Sequence, residues 1–161
     1  MIGITKCYSS SQEAEYLTKK LILAGFPTFL SKDIDREIYR KLLINSVINP
    51  LTAIWQIPNG ELLASPERRK ILRQLHDEAV EIYRANQIAY DDNMYEQIVS
   101  VCQSTSNNIS SMLKDVLQGS PTEIDSINGR LIEMAHLSGL TAPGHELITL
   151  LIKGLQQQKG I

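Results

Sequence analysis

A chain of 161 residues with 43% hydrophobic side chains can bury the core of one domain, or of one domain and a fragment. Its formal net charge of -2 argues against a nucleic-acid-binding protein, which would carry a basic face. No run of about 18 or more apolar residues occurs, and the first residues lack the basic and then apolar pattern of a signal peptide. We therefore expect a cytoplasmic protein with no membrane and no nucleic-acid partner.

The spacing of cysteines and histidines argues against a metal site. Cys7 and Cys102 lie far apart, and the three histidines form no ligand pair. His145-Glu146 is not followed by a second histidine at the spacing of zinc proteases. In a chain without a signal peptide, we expect both cysteines to be reduced thiols.

Residues 1–32 differ in character from the rest of the chain. Segments 2–5 and 27–30 are short and rich in strand-forming residues. Between them, apolar residues at helical spacing predict a helix over 11–24, with Ser11 as its N-cap and Gly25 at its end. One strand–helix–strand unit leaves sheet edges unpaired, so we interpret it as the closing part of something larger.

The next segment predicts helices separated by one turn. Asp33 is a candidate cap for a helix that runs to residue 49, after which Pro50 kinks it or starts a segment through residue 55. Residues 58–60 have turn composition, and Ser65-Pro66 is a typical start for a helix that would extend to about residue 89.

Helical spacing continues to the end of the chain. A helix is predicted from residue 91, and the polar stretch 105–111 is either a loop or a helix start before a short helix over 112–117. Pro121 opens a helix that Gly139 ends, and a last helix begins at about Pro143. Residues 33–157 therefore predict an all-helical bundle, with a polar tail that frays.

A row of polar residues crosses the first of these helices. Lys41, Asn45 and Asn49 are each four residues apart, a spacing that drifts by about 40° and rises by about 6 Å per step on a helix. Their polar groups would form one row among apolar side chains. Buried amides are kept where something hydrogen-bonds to them, which favours a binding role. Alternatively, Asn49 ends the helix before Pro50 and Lys41 extends to solvent.

Three stretches resemble one enzyme family in their order and spacing. Residues 41–53 with 59–62 resemble the signature of the C-terminal domain of ketopantoate reductases (2-dehydropantoate 2-reductases), and 108–115 and 122–129 match later parts of it. The resemblance covers about residues 33–155. It implies a mainly α fold, a helical bundle of the ketopantoate reductase C-terminal type over 33–161. Residues 1–32 would be a short strand–helix–strand remnant of the N-terminal Rossmann domain.

The resemblance also implies an activity and a cofactor. The family reduces ketopantoate to pantoate with NADPH, on the route to pantothenate and coenzyme A. An N-terminal Rossmann domain holds the cofactor, but no G-x-G-x-x-G fingerprint occurs in this sequence. We therefore expect NADP(H) to be bound mainly by a domain that this chain lacks, and the 161-residue chain alone to be inactive.

By position, the resemblance assigns the polar row to the reaction. Lys41 would be the general acid that stabilises charge on the keto oxygen and delivers a proton, in an apolar setting if its side chain points inward. Asn45, Asn49 and Asn59 would hydrogen-bond the keto acid. Alternatively, Asn49 holds backbone at the Pro50 break and Asn59 is a turn residue.

The two later stretches supply the remaining candidates. Ser111, with Asn108, would face the substrate carboxylate from a helix start, where free N–H groups favour an anion. Their alternative role is as helix caps, and both roles can coexist. Glu123 would contact the cofactor, and its alternative role is that of a first-turn glutamate favoured by the helix dipole.

Two other hypotheses compete with this reductase. One is a non-catalytic helical dimerisation or binding module of the same fold, against which the joint presence of Lys41, Asn45, Ser111 and Glu123 argues. The other is a reductase of another 2-keto acid, which sequence does not separate from the first because pocket shape decides it. Open sheet edges in residues 1–32 also lead us to expect a homodimer or other self-association.

Overall fold

A parallel pair of short strands lies at the start of the computed structural model, which describes residues 2–4, 11–31 and 33–157. Strand β1 (Ile2–Ile4) pairs with β2 (Thr28–Leu30), with Ile2 opposite Thr28, and helix α1 (Ser11–Leu23) connects them. Gly25 follows α1 at φ +84°, a left-handed conformation that favours glycine. The predicted strand–helix–strand order is confirmed. Cys7, the side chain of Ser11 and the tail beyond residue 157 lie outside the described residues.

The chain divides into two compact units, Met1–Tyr39 and Arg40–Ile161. The first unit carries α1 and the strand pair. Several of its large apolar side chains are exposed: Leu17, Ile22, Leu23, Phe26 and Phe29. Apolar side chains gathered on one small unit are typical of a surface that another part of a protein covers.

Helix α2 (Ile34–Trp55) has the most continuous buried segment of the described residues. Asp33 caps it as predicted, since its Oδ1 accepts a hydrogen bond from the backbone N–H of Arg36 at 3.1 Å. Every residue from 46 to 53 is buried. Of the two alternatives predicted at Pro50, the start of a separate segment is wrong, because the helix is continuous from residue 34 to 55. Tertiary contacts around this segment hold a proline that alone would disfavour helix.

The second unit is built from helices, as predicted. After α2 come a 3₁₀ helix (Asn59–Leu63) and helices α3 (Pro66–Ala85), α4 (Met94–Ser104), α5 (Ser111–Gln118), α6 (Arg130–Leu137) and α7 (Pro143–Gln157). Ser65 caps α3 as predicted, accepting from the backbone N–H of Arg68 at 3.3 Å. The core side chains come from all of these helices and include Leu43, Leu51, Leu72, Ile82, Tyr83, Ile98, Leu113, Leu131 and Ile152.

One predicted helix limit is wrong, and one predicted helix contains an unpredicted π-helical turn. Helix α3 ends at Ala85 rather than near residue 89, because Gln87 adopts a positive φ of 56° and the N–H of Ile88 bonds back to the carbonyl of Tyr83 at 2.9 Å. The single helix predicted from Pro121 to Gly139 instead contains a π-helical turn (Asp125–Gly129) before α6. Simple 3.6-residue spacing does not reveal such a turn.

No helix in the described part of the chain is long and apolar enough to cross a membrane. Among the same residues, no group of three or more histidine, cysteine, aspartate and glutamate side chains is arranged to hold a metal ion. Cys102 is a free, buried thiol, and its burial raises its pKa to about 11. A thiol with so high a pKa forms little thiolate, so Cys102 is a core side chain rather than a nucleophile.

Candidate functional site

The polar row on α2 runs from solvent into the core. Lys41 is exposed, Asn45 is half-buried, and Asn49 is only 7% exposed. The three residues span two helical turns, or about 12 Å along the helix axis. Lys41 therefore carries its charge at the open end of the row, whereas the two amides lie progressively deeper. The apolar neighbours Leu43 and Ile44 are buried, but Lys41 itself is not enclosed by them in this chain.

The deep end of the row meets the start of α5. The hydroxyl of Thr52, one turn after Asn49, lies 2.8 Å from the hydroxyl of Ser110 and 2.9 Å from the carbonyl oxygen of Asn49. Ser110 is the N-cap of α5, because its hydroxyl accepts from the backbone N–H of Leu113 at 3.0 Å. This contact places the free N–H groups of a helix start next to the buried part of α2.

Ser111 is the first residue of α5, and its side chain is exposed. The cap is the residue before it, Ser110, which the sequence analysis missed because two adjacent serines offer the same local signal. Ser111 therefore does not cap α5, and it is an exposed residue at the helix start. Asn108 is also exposed, and its backbone rather than its side chain contacts the 3₁₀ helix.

Asn59 joins the 3₁₀ helix to the loop before α5. Its backbone N–H donates to the carbonyl of Asn108 at 2.9 Å, and its side-chain Nδ2 donates to Thr105 Oγ1 at 2.8 Å. The next residue, Gly60, donates to the carbonyl of Ser106 at 3.1 Å. A Cβ at position 60 would lie 2.7 Å from that of Ser106, so only glycine fits there. Asn59 thus has a demonstrable role in holding the loop, and its buried Oδ1 lacks a hydrogen-bond partner among the described residues.

Glu123 is exposed and lies two residues before the π-helical turn. Its carbonyl accepts from the backbone N–H of Ile127 at 3.0 Å, so it belongs to the same wound segment. That segment is attached to α2, because Asn128 Nδ2 lies 2.9 Å from the carbonyl oxygen of Ser46. The structure therefore connects Glu123 to the helix of the polar row through one buried amide.

A buried pair, Asn128 and His145, is the main feature that the sequence analysis missed. Asn128 Nδ2 lies 3.0 Å from His145 Nδ1, and His145 Nε2 lies 3.2 Å from the carbonyl oxygen of Leu75. Both side chains are completely buried. Burial lowers the pKa of His145 to about 4, an effect that the hydrogen bond to Leu75 partly opposes. Asn128 lies within one of the matching stretches, but nothing local in the sequence indicates its partners.

Comparison with known proteins extends this description. The family described as "Ketopantoate reductase PanE/ApbA C terminal" matches residues 33–156. The 2-dehydropantoate 2-reductase of Bacillus subtilis is 38% identical over 134 residues, which are 83% of this chain and 44% of that protein. The protein of the same name from Archaeoglobus fulgidus is 30% identical over 146 residues, which are 91% of this chain and 49% of that protein.

Solved structures give the same fold. The crystal structure of a PanE/ApbA family ketopantoate reductase from Ralstonia eutropha superposes with a TM-score of 0.87 at 23% identity, covering 97% of this chain and 51% of that one. The probable 2-dehydropantoate 2-reductase from Bacillus subtilis superposes with a TM-score of 0.75 at 36% identity, covering 85% and 48%. This chain spans about half the length of these proteins.

The resemblance seen in the sequence is confirmed by these matches, which cover the polar row, the start of α5 and the π-helical turn. With the family description matching 124 of 161 residues (33 to 156 inclusive), the chain belongs to the ketopantoate reductase family and corresponds to its C-terminal domain.

Proposed function

We propose that this chain is the substrate-binding and proton-donating part of an NADPH-dependent reductase of 2-keto acids, with ketopantoate as the substrate. The observation that carries the proposal is the polar row on α2, which places one cation and two amides on a line from solvent to core. Relatives named 2-dehydropantoate 2-reductase support the choice of substrate.

Each polar group has a distinct chemical task in this proposal. Lys41 donates a proton to the keto oxygen as negative charge develops there, and its ammonium stabilises that charge. Asn45 and Asn49 hydrogen-bond the oxygens of the keto acid and fix its orientation. Ser111, with Asn108, receives the carboxylate at the start of α5, where unpaired N–H groups favour an anion.

The residues of this chain fit only a small part of a dinucleotide. NADPH, when bound, supplies the hydride that converts the keto carbon to an alcohol carbon. Glu123 is an exposed carboxylate that can accept hydrogen bonds from ribose hydroxyls or an amide. The sequence has no glycine-rich phosphate-binding turn. We therefore assign most of the NADP(H) site to an N-terminal domain, of which residues 1–32 are the closing strand–helix–strand, with 33–161 as the catalytic and substrate domain.

The first test compares the chain with and without a cofactor domain. The purified 161-residue chain should not oxidise NADPH in the presence of ketopantoate, because it lacks the phosphate-binding turn. Fusion to the N-terminal part of the Bacillus subtilis relative, where we expect the nucleotide-binding domain, should restore ketopantoate-dependent loss of NADPH absorbance. Turnover by the chain alone would contradict the placement of the cofactor site. A fused protein that reduces a different 2-keto acid, but not ketopantoate, would correct the substrate.

A second test addresses self-association. We propose that the apolar surface of the first unit leads copies of this chain to associate, and one structural relative, from Staphylococcus aureus, is described as dimeric. Sedimentation velocity should show a concentration-dependent rise in mass that Leu23→Glu weakens, since Leu23 is 82% exposed on that surface. The control is Leu137→Glu, on α6, where a leucine is 77% exposed. A monomer at all concentrations, or equal effects of the two variants, would contradict this assignment.

A further inference from the structure

Pro50 creates a specific problem within α2. In an α-helix the carbonyl of each residue accepts from the N–H four positions later, but proline has no N–H. The carbonyl of Ser46 therefore lacks the donor that position 50 would normally supply. Ser46 is completely buried, so bulk water cannot replace that donor. An unsatisfied carbonyl at this depth would destabilise the helix at the turn that separates Asn45 from Asn49.

Asn128 supplies the missing donor. Its Nδ2 lies 2.9 Å from the carbonyl oxygen of Ser46, although the two residues are 82 positions apart in sequence. The π-helical turn brings it there, since Ile127 and Asn128 are both buried within this wider turn. One side-chain amide thus replaces the backbone hydrogen bond that Pro50 cannot make.

The orientation of this amide determines the state of His145. A carbonyl oxygen only accepts, so the NH₂ group of Asn128 must face Ser46. The second hydrogen of that group points to His145 Nδ1 at 3.0 Å, which must then be the unprotonated, accepting nitrogen. The proton of the neutral ring consequently lies on Nε2 and is donated to the carbonyl of Leu75 at 3.2 Å. Only this assignment satisfies the three contacts together.

The start of α7 holds His145 in place. Glu78 of α3 accepts from the backbone N–H groups of Gly144 and His145 at 3.0 and 2.9 Å. The carboxylate therefore caps α7 and faces the backbone of His145, while the imidazole hydrogen-bonds two neutral groups, the amide of Asn128 and the carbonyl of Leu75. Helices α3 and α7 thus fix the imidazole, which in turn fixes the amide of Asn128.

We propose that Asn128 and His145 are positioning residues, which hold the Pro50 turn of α2 so that Asn45 and Asn49 keep the spacing needed to bind a keto acid. The hydrogen bonds that connect Ser46, Asn128 and His145 are observed in the structure, and only their effect on substrate binding rests on the proposed function. Ser46 directly follows Asn45 and lies three residues before Asn49, so movement of its carbonyl moves both candidate ligands. Neither positioning residue is placed in contact with substrate.

A double-mutant cycle with Pro50 tests the link in the 161-residue chain. Asn128→Leu keeps the side-chain shape but removes the donor, and should lower Tm by about 5 °C. Pro50→Ala restores the backbone N–H that can donate to the carbonyl of Ser46. In that background, Asn128→Leu should lower Tm by roughly half as much. The remaining loss arises because His145 Nδ1 still lacks its donor. Equal losses in both backgrounds would overturn the proposal. If Asn128→Leu alone does not fold, recovery of a folded chain by Pro50→Ala supports it and failure to recover overturns it.

Asn86 provides a matched control. Its Nδ2 also donates to two carbonyls, those of Ile82 and Met134, at 2.9 and 3.2 Å, but it does not contact α2 in these bonds. Asn86→Leu should destabilise the chain to the same extent with and without Pro50→Ala. A second pair of variants tests whether the imidazole of His145 holds the amide of Asn128. His145→Asn places an acceptor near the position of Nδ1 and should retain more of the Pro50-dependent loss of Tm than His145→Leu, which removes that acceptor.

The effect on position is measured without activity. In spectra of the isotopically labelled chain, the side-chain amide signals of Asn45 and Asn49 should shift in Asn128→Leu, return in the double variant with Pro50→Ala, and stay unchanged in Asn86→Leu. Unchanged signals in Asn128→Leu would overturn the positioning role. In the fused reductase, Asn128→Leu should raise KM for the keto acid about tenfold, with KM for NADPH unaltered. A fused protein without any reductase activity would refute the proposed function and leave the spectroscopic result to decide this inference.

Discussion

Lys41→Ala is expected to lower kcat of the fused reductase by on the order of 10²–10³, the loss expected when one donor to a developing oxyanion is removed, or about 3–4 kcal/mol. In the proposed mechanism, the charge of Lys41 matters most when the keto oxygen becomes anionic, a contact that is stronger in the transition state than in the ground state. KM for NADPH should change little, because the exposed end of the row is assigned to the substrate oxygen. Steady-state kinetics with ketopantoate measure both quantities.

Two further variants serve as a comparison and a control for Lys41→Ala. Asn45→Ala should act mainly through KM for the keto acid, since an uncharged amide binds substrate and transition state more evenly. Lys70→Ala removes another exposed lysine, on α3, and should leave both constants unchanged. A Lys41→Ala enzyme with near-normal kcat would exclude Lys41 from the proton transfer and reduce the polar row to a structural feature of α2.

Acid is expected to destabilise the fold through His145, by about 3 kcal/mol between pH 7 and pH 4. The pKa of this histidine falls from 6.5 to about 4 in the folded chain because burial disfavours the charged ring. The unfolded chain therefore binds the proton first as the pH drops. The contribution of His145 is complete above about pH 6.5 and is lost progressively as the pH falls toward 4. Protonation would also add a hydrogen to Nδ1, which would then face the NH₂ group of Asn128.

Urea unfolding at a series of pH values measures this effect. His145→Asn should flatten the dependence of the unfolding free energy on pH over this range, because asparagine does not titrate. His136→Asn is the matched control, since His136 is exposed and pairs with Glu146 at 3.2 Å. The comparison uses slopes rather than absolute stabilities, so a variant that is weaker at every pH is still informative. An unchanged slope in His145→Asn would contradict the assignment.

Much of the fold could be predicted because its signals are local. Apolar spacing, the Ser65-Pro66 start and the glycine after α1 each depend on a few neighbouring residues, and the structure confirms them. The polar row was visible for the same reason, since its three members lie on one helix. What the sequence could not show was the gradient of burial along the row, from exposed Lys41 to buried Asn49, because burial depends on packing from other helices.

The parts that escaped prediction all depend on contacts between distant residues. Proline at position 50 suggests a break, but α2 continues through it, and the amide of Asn128 lies 2.9 Å from the carbonyl oxygen of Ser46 one turn earlier. The cap of α5 is Ser110 rather than Ser111, and the hydroxyl of Ser110 also contacts Thr52 of α2, a residue distant in sequence. Local patterns predict which residues face inward but do not identify what they meet there.

The hydrogen bonds of Asn59 in the 3₁₀ helix and of Asn128 in the π-helical turn have a consequence for the chemical stability of these two side chains. Asn59-Gly60 and Asn128-Gly129 are asparagine–glycine linkages, which age by deamidation when the glycine nitrogen attacks the neighbouring side-chain carbonyl. In the fold, the side-chain amide of Asn59 donates a hydrogen bond to Thr105, and the N–H of Gly60 donates one to the carbonyl of Ser106. The side-chain amide of Asn128 donates to the carbonyl of Ser46. We therefore expect the hydrogen bonds of Asn59 and Asn128 to slow deamidation of both side chains in the folded chain, and a chain that unfolds often to lose these amides with time.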